Sequence, residues 1–509
     1  MAIYAFALLY NLGYMSIQWD EIPHLYGSQL LVRGQLREYM ATYGYYPPLY
    51  DIVATGYFQI FGVSAASGRL VAVTFSLLSI WIVFEFANRT YGPKIALVSS
   101  ILLGSMPGFF WVSRMTMLET MLVFFFSLSM FFFFNWIRVH KDKALILSCF
   151  ALGVGFLAKY QIIVAGIIMI ASILILCRDR LRANLTKFLI VPIIAIAIVV
   201  PWLVILYQMN GVSKFGELLY VVQEGGQDRA LYSRRFPAPI FYLIEMTWPF
   251  PDVPVHPISL PIYILGLLGL GLWAYRRKTE DKFFLIWFIT VYVFFTLIPN
   301  KQWRYVTPLF PVLAISAASF IMLAYGKAAE AWKKKQISLN KKRALKVAAG
   351  LFIILAATAV VYSGNDAYQM VARDQIHIPI EEATNYAADR MNQNESIMVV
   401  CATNFYNRDM VKFYLQAYEF RQNQVFQYPE LPVDAFKPNF DVNELISLCE
   451  EHNVKYAFLY AYGGDFPYFN TTLTAMDVYQ KLLNCSRFTD EYRVPVGNSS
   501  RAIAIFSFA

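Results

Sequence analysis

The chain has 509 residues, of which 58% are hydrophobic and 15% charged, and its mean hydropathy is +0.46. This composition is too apolar for a single water-soluble globule and excludes a purely soluble enzyme or binding module. The formal net charge of +9 would suit nucleic acid, but the basic residues lie mainly between apolar stretches. They therefore indicate a membrane topology and contact with anionic lipid, with no nucleic-acid partner.

About eleven apolar stretches are long enough to cross a hydrocarbon core of roughly 30 Å. The stretches are 3–19, 70–88, 95–112, 116–137, 144–158, 162–177, 188–207, 259–275, 283–298, 305–325 and 347–363. The first has no basic region before it and no small-residue cleavage site after it, so we expect it to be retained. The fold class predicted is a polytopic α-helical membrane protein with a C-terminal α/β domain.

Lysine and arginine residues are concentrated in alternate connections, which are 89–94, 138–143, 178–187, 276–282 and 327–346. Cytoplasmic loops of membrane proteins carry such an excess. We therefore expect the N-terminus inside and the C-terminus outside, in a protein of the plasma membrane. Asp20, the loop 208–258 and the domain 364–509 would then be extracytoplasmic, with 1–363 forming the transmembrane domain.

Two acids, Asp20 and Glu21, stand where the first apolar stretch ends. Ionisable groups at the membrane rim are costly and usually functional, although acids also commonly mark a helix end. The external segment 20–68 follows. In it, Pro23–Met40 has the alternation of a helix lying on the membrane surface, and 47–62 forms a second juxtamembrane element.

Each outer turn of the predicted bundle carries a cation. These residues are Arg69, Arg114, Lys159, Lys301 and Arg304, and Glu119 is expected about one turn inside the helix that follows Arg114. Gly153 and Gly155, just before Lys159, would allow close helix packing. Lys301 and Arg304 flank Trp303 and either anchor the chain at the interface or clamp a phosphate.

The loop 208–258 is too long for a simple connection and is either a lid that orders over substrate or a disordered connector. Its polar middle contains Arg229, Arg234 and Arg235. With Tyr46, which precedes Pro47-Pro48-Leu49, these are candidates for substrate contact.

From about residue 365 helical and strand patterns alternate, which predicts a small open sheet flanked by helices. The predicted strands are 396–401, 424–428, 455–460, 488–494 and 501–508. Glycosylation sequons at Asn394, Asn470, Asn484 and Asn498 fit an external domain. Cys401, Cys449 and Cys485 could form one disulfide with one thiol left over, and the pairing is open.

Carboxylates and several cations at one membrane depth suit group transfer. The cations would hold an anionic lipid head group while a carboxylate removes a proton from an attacking hydroxyl. Two alternatives stay open: a transporter or flippase for lipid or sugar, and a non-catalytic membrane scaffold with an external recognition domain.

Several of these features together resemble GT-C membrane glycosyltransferases, in particular the superfamily of protein O-mannosyltransferases and aminoarabinose (ArnT-like) transferases. They are the acidic pair, the surface helix, Pro47-Pro48-Leu49 running to Phe61-Gly62, Arg69, Arg114 with Glu119, and Lys301 to Tyr305 followed by Pro308 and Pro311. The resemblance covers about residues 15 to 325.

The resemblance implies a polyprenyl- or dolichyl-phosphate monosaccharide donor, an unknown acceptor (protein, glycan or lipid) and displacement with inversion. Asp20 matches the family's catalytic acid and would be the general base. Glu21 would support it and Glu119 would orient the acceptor. Lys301 and Arg304, with Arg69, Arg114 and Lys159, would hold the donor phosphate.

The chain departs from the aminoarabinose branch at two places. Tyr45-Tyr46 stands where that branch has Glu-Lys, and Ser233 to Phe236 stands where its loop has a metal-binding histidine. A bound metal is therefore doubtful: a divalent metal is possible, but its family ligands are not matched, and no cofactor is predicted with certainty. A Trp-Trp-Asp-Tyr-Gly-like motif of the oligosaccharyltransferases is also missing from the sequence.

Overall fold

The computed structural model describes residues 1–178, 185–223, 233–247, 256–333, 339–373, 377–403, 406–417, 421–430, 440–461, 474–495 and 502–509. They form two compact units. The first, called the helical unit, comprises Met1–Tyr10, Gln35–Val53 and Arg69–Arg373; the second, called the sheet unit, comprises Asn11–Gly34, Ala54–Gly68 and Asp374–Ala509. A domain boundary after residue 363 stays a prediction.

Among the described residues, four helices are long and apolar enough to cross a membrane: Ala65–Tyr91, Glu119–Val139, Thr186–Asn210 and Trp303–Lys327. Three shorter apolar helices are Pro93–Ser105, Tyr160–Leu176 and Leu260–Arg276. The prediction of a helical integral membrane protein is confirmed, whereas the number of eleven spans and their orientation stay predictions.

Further helices lie between residues 2 and 373. They are Ala2–Leu9, Leu36–Tyr43, Leu49–Phe61, Pro107–Val112, Asp142–Phe156, Leu185–Ile190, Ser213–Gln223, Ala238–Glu245, Thr279–Leu297, Phe310–Lys333 and Leu339–Arg373. The connection 208–258 thus contains helical turns in its described portions. The helix predicted over 347–363 extends on both sides to Leu339 and Arg373.

Two predicted stretches are interrupted. The helix predicted over 3–19 ends at Leu9, and Asn11 in the turn that follows has a positive φ of 49°. The stretch 95–112 is two helices, because Met106 precedes Pro107 and takes an extended conformation with ψ of 121°. A residue before proline is disfavoured in the helical region.

Glycines allow several close backbone approaches in the helical unit. A Cβ on Gly153 would lie 2.9 Å from the Cα of Ala195, and one on Gly155 would lie 2.2 Å from Cδ1 of Ile162. The predicted close packing at these two glycines is confirmed. Gly108 donates its N–H to the Pro257 carbonyl at 2.9 Å, and a Cβ there would lie 2.9 Å from the Trp303 ring.

The sheet unit contains a five-stranded mixed sheet. Its strands are β1 (Ser396–Val400), β2 (Val425–Tyr428), β3 (Val454–Ala461), β4 (Phe488–Pro495) and β5 (Ala502–Phe508), in the spatial order β2-β1-β3-β5-β4. Strand β1 is parallel to β2 and β3, and β5 is antiparallel to β3 and β4. All five side chains of β1 are buried, as expected of a central strand covered on both faces.

Four helices accompany the sheet: Ile380–Ala388, Arg408–Ala417, Val442–Glu451 and Ala475–Leu483. All five cysteines of the chain are free thiols, so the disulfide considered among Cys401, Cys449 and Cys485 does not form in this structure.

The membrane-surface helix predicted over Pro23–Met40 is wrong. The segment forms two helices, Ile22–Val32 and Leu36–Tyr43, which are separated at Gly34 with a φ of +72°. Eight of the eleven residues of the first helix are buried, and this helix packs on Arg408–Ala417 within the sheet unit. Its polar residues therefore face protein.

Candidate active site

The acidic pair lies in a short 3-10 turn, Trp19–Glu21, of the sheet unit. The Glu21 carboxylate accepts the Gln18 backbone N–H at 3.1 Å, and the Glu21 N–H donates to the Gln18 carbonyl at 2.9 Å. Glu21 is fully buried, whereas Asp20 is half-buried. Glu21 therefore holds the turn together, and Asp20 is the acid that solvent or substrate can reach.

A second acid, Glu119, is paired with Lys159 in the helical unit. Glu119 is the first residue of the helix Glu119–Val139 and does not lie one turn inside it. Lys159 is an extended residue in the turn between two helices, and its Nζ lies 2.7 Å from Glu119 Oε1. The two side chains are only 16% and 5% exposed, so little water screens the pair.

Arg304 joins this pair from the 3-10 turn Trp303–Leu309. Its guanidinium donates to Gln302 Oε1 at 2.9 Å and contacts Met117 Sδ at 3.5 Å, and its charge acts on Glu119. The fold thus brings Glu119, Lys159 and Arg304 together from distant parts of the chain. Two cations and one carboxylate thus lie close together, and cations held in this way suit an anionic group.

Arg114 and Arg69 form a separate cationic group. Arg114 is 5% exposed and donates to the carbonyls of Ala7 and Leu8 at 2.9 and 2.7 Å. Cations favourably satisfy the last carbonyls of a helix, here Ala2–Leu9. Burial lowers the pKa of Arg114 to about 10, with the charge of the fully buried Arg69 adding to the effect.

Lys301 is directed toward backbone oxygen atoms. Its Nζ donates to the Ile298 carbonyl at 2.5 Å and lies 3.5 Å from the Pro299 carbonyl, just after the helix Thr279–Leu297. Burial lowers the pKa of this ammonium. Its phosphate-binding role stays a prediction, and the contacts observed are those of a helix-capping lysine.

The loop arginines differ from one another. Arg229 lies outside the described residues, Arg234 is exposed, and Arg235 lies 3.9 Å from the fully buried Glu245. Burial raises the pKa of Glu245 to about 8. Next to these arginines, Ser233 Oγ accepts the Lys301 N–H at 2.8 Å, which fastens this part of the loop to the segment before Arg304.

Tyr46, the remaining substrate-contact candidate, is half-buried. Its ring lies against that of Tyr45, with the centroids 4.3 Å apart. Lys214 lies over the Tyr45 ring at 5.8 Å. The tyrosine pair that replaces Glu-Lys before Pro47-Pro48 therefore still has a cation beside it.

A buried pair that was not predicted from the sequence lies near Tyr160. The Tyr39 hydroxyl donates to Asp51 Oδ2 at 2.8 Å, and both side chains are almost fully buried. Burial, followed by the charge of Asp51, raises the pKa of Tyr39 well above its usual value, and Tyr160 adds a smaller effect. Near them, the Leu49 N–H donates to the Leu157 carbonyl at 2.8 Å.

The signal that could have revealed this pair is an acid inside an otherwise apolar stretch. Asp51 occupies such a position, and a buried carboxylate needs a donor.

As for metals, no group of three or more His, Cys, Asp or Glu side chains that could hold an ion occurs in the part of the chain that the structure describes.

Part of the chain is similar in sequence to known transferases. Residues 46–205 match the family model described as dolichyl-phosphate-mannose-protein mannosyltransferase. The chain is 23% identical over 332 residues to undecaprenyl phosphate-alpha-4-amino-4-deoxy-L-arabinose arabinosyl transferase 1 of Proteus mirabilis, covering 61% of this chain and 56% of the relative. The chain thus spans only about half the length of the curated relatives it matches.

Solved structures extend the similarity of fold to the whole chain. ArnT from Cupriavidus metallidurans bound to undecaprenyl phosphate superposes with a TM-score of 0.63 at 15% identity, covering 100% of this chain and 97% of that one. The oligosaccharyltransferase AglB from Archaeoglobus fulgidus gives a TM-score of 0.55 at 12% identity, covering 90% and 68%. The chain is therefore similar over residues 46–205 to dolichyl-phosphate-mannose-protein mannosyltransferases, and it shares its fold with ArnT.

Proposed function

We propose that this protein is an inverting glycosyltransferase that moves a monosaccharide from a polyprenyl- or dolichyl-phosphate donor to an acceptor hydroxyl at the outer membrane face. The observation that carries the proposal is the buried Glu119–Lys159 pair with Arg304 acting on it. Its two cations complement a phosphate, and they occur in a chain similar to transferases whose names include undecaprenyl phosphate or dolichyl phosphate.

The proposed reaction is a direct displacement. Asp20 takes the proton of the acceptor hydroxyl as its oxygen attacks the anomeric carbon. The bond between that carbon and the phosphate oxygen breaks, and the lipid phosphate leaves with the electron pair. General-base assistance of this kind contributes about 10²–10⁴-fold.

The cations act on the leaving group. Arg304 can present two parallel N–H donors to phosphate oxygens, while Lys159 supplies a point charge. Glu119 contacts Lys159 and would orient its ammonium, in addition to the acceptor-orienting role that its position in the family implies. Placed in a partly dehydrated site, such charges stabilise the developing phosphate in the transition state.

The other predicted ligands have more specific surroundings. Arg69 and Arg114 would act on the donor from a second cationic group, which also anchors the helix Ala2–Leu9. Lys301 would act mainly by fixing the segment that carries Arg304. Glu21 would act through the turn that presents Asp20.

The test is donor turnover by the purified full chain in membranes. Polyprenyl-phosphate sugars are supplied as a panel, and release of free lipid phosphate is followed for wild type, Asp20→Asn and Arg304→Ala. We expect both variants to lose turnover by about 10²-fold or more. The Asp20→Asn variant should keep its donor affinity, whereas Arg304→Ala should bind donor more weakly.

Matched controls are available on the same chain. Asp142→Asn removes a half-exposed acid of the Lys187 pair, and Arg138→Ala removes an exposed arginine; both should turn over like wild type. If no donor is consumed by the folded wild type, or if Asp20→Asn keeps full turnover, the proposed reaction is wrong.

A further inference from the structure

The turn that carries Asp20 is fastened on its upstream side to the chain that leads into the sheet. The Ser16 hydroxyl accepts the Ile378 N–H at 2.6 Å. The His377 ring stacks on Tyr14 with centroids 4.9 Å apart, and its Nδ1 lies 2.9 Å from the Tyr14 carbonyl. These contacts fix the backbone four to six residues before Asp20.

The downstream side is fastened to the helix Arg408–Ala417. Gln29, which is 1% exposed, donates from Nε2 to the Phe413 carbonyl at 3.1 Å. Arg33 donates to Gln416 Oε1 at 2.8 Å and also to the Gln416 carbonyl. Gln416 in turn donates to the Tyr26 hydroxyl at 2.9 Å. Three side chains in or just after the helix Ile22–Val32 are therefore bound to the helix Arg408–Ala417.

Between these two anchors the chain has little freedom. Only a few residues separate Ser16 from the helix Ile22–Val32, and within them the Glu21 carboxylate closes the turn on the Gln18 N–H. A segment held at both ends and closed internally keeps its central side chain in one orientation. Catalytic groups depend on such support, because a shift of about 1 Å can cost on the order of 10²-fold in rate.

We propose that the C-terminal α/β domain positions Asp20, and that Arg33 and Gln416 are positioning residues for the transfer reaction. The inference rests on the proposed function for its catalytic consequence, but the positioning itself is a property of the sheet unit. It assigns this domain a role in the chemical step that does not depend on acceptor recognition.

The test introduces one repulsive charge and then compensates it. Gln416→Lys places a cation opposite Arg33, and the double variant Arg33→Glu/Gln416→Lys replaces the repulsion with an attractive pair of opposite charges. For the full chain in membranes we expect Gln416→Lys to lower kcat by about tenfold or more, with the donor KM within about twofold, because misorientation of Asp20 affects the chemical step. The double variant should regain most of the wild-type kcat.

Val478→Ala is the matched control, since it removes a fully buried side chain of the same domain on the helix Ala475–Leu483. It should lower the free energy of unfolding of the domain. Under conditions where the variant is fully folded, its kcat should equal that of the wild type. If Val478→Ala lowers kcat as much as Gln416→Lys does, or if the double variant Arg33→Glu/Gln416→Lys fails to restore kcat, the positioning role is overturned.

Hydrogen exchange of residues 14–26 separates this inference from the proposed reaction. Gln416→Lys should increase hydrogen exchange in this segment, and the double variant Arg33→Glu/Gln416→Lys should reverse the increase. Val478→Ala should leave exchange in the segment as in wild type. These results would support positioning even if the wild type consumed no donor. Unchanged exchange in Gln416→Lys would refute it even if Asp20 proved catalytic.

Discussion

The Lys159 ammonium lies 2.7 Å from the Glu119 carboxylate, where a turn between two helices meets the first residue of a third. Neither side chain is more than 16% exposed. Glu119→Gln should therefore lower the free energy of unfolding by about 3–5 kcal/mol, since it leaves a buried cation without its carboxylate. Thermal or denaturant unfolding in detergent measures this loss.

The double variant Glu119→Gln/Lys159→Met should be less destabilised than the sum of the single variants, because the charges are coupled. The half-exposed Asp142–Lys187 pair, at 2.8 Å, is the comparison. Asp142→Asn should cost at most about 1 kcal/mol. Equal losses for Glu119→Gln and Asp142→Asn would contradict the role assigned to burial.

Two glycines of the helix Leu260–Arg276 should respond oppositely to alanine. A Cβ on Gly269 would lie 2.0 Å from the Ser316 carbonyl oxygen, whereas a Cβ on Gly271 would meet nothing within 4 Å. Gly269→Ala should force this helix away from Phe310–Lys333 and cost about 1–3 kcal/mol. Gly271→Ala should be neutral or stabilising by up to about 1 kcal/mol through helix propensity.

Melting temperatures of the two alanine variants give the comparison directly. They share the helix, the residue type and the substitution, so only the space around the new methyl group differs. A Gly269→Ala variant that melts with or above Gly271→Ala would show that the two helices do not approach as closely as described.

Glu245 should make stability depend on pH. Burial raises its pKa from 4.5 to about 8, so the folded protein keeps a proton that the unfolded chain releases at lower pH. The stability due to this proton is fully present below about pH 4.5 and is lost as pH rises through about 8.

Unfolding of wild type and Glu245→Gln should therefore be compared across that interval. The wild type should lose stability relative to the variant as the pH rises, because glutamine has no proton to release. Parallel curves over the whole range would mean that the carboxyl is not kept protonated by its surroundings.

Tyr39→Phe should weaken the turn that carries Lys159. The change removes the hydroxyl that donates to buried Asp51 at 2.8 Å, and we expect a cost of about 1–3 kcal/mol. Since the adjacent Leu49 N–H holds the Leu157 carbonyl, donor turnover should also fall. The exposed Tyr207, mutated to phenylalanine, is the control for loss of a hydroxyl.

Adding Asp51→Asn to Tyr39→Phe should recover part of the stability, because the carboxylate that lost a donor is then no longer charged. Unfolding and turnover of the three variants are measured together. Tyr39→Phe with wild-type stability would mean that the remaining contacts of Asp51 suffice to hold it.

Several elements of the sheet unit are readable from the sequence. The strand Ser396–Val400 is an apolar run, and the helix Ala475–Leu483 begins after Thr474 with Asp477 three residues later, a capping pattern readable from sequence. The order of the strands was not predictable in this way, since pairing of β1 with both β2 and β3 depends on contacts between distant segments.

The membrane part was predictable in its apolar stretches but not in their interruptions. Nothing in the hydropathy of 3–19 marks the helix end at Leu9, where the last carbonyls are taken by Arg114 from a distant turn. The helix Ile22–Val32 has the polar residues of a surface helix, yet Gln29 and Tyr26 bind protein groups. Composition alone does not distinguish a polar side chain facing lipid head groups from one facing a partner helix.

The candidate site was predictable as a set of residue types rather than as a geometry. Glu119, Lys159 and Arg304 were each identified from sequence, but their convergence depends on tertiary packing. Asp51 and Glu245 were missed because a single acid in an apolar segment gives no indication of its donor.

The space around Gly108 restricts which residues can occupy this position. Its missing side chain leaves the space that the Trp303 ring fills, and Arg304 is the next residue along the chain. A Cβ at 108 would also lie 2.9 Å from the Cα of Pro257, so a smaller residue at 303 alone would not make room for it. Across relatives of this protein, a lineage that kept the tryptophan should therefore have kept the glycine as well.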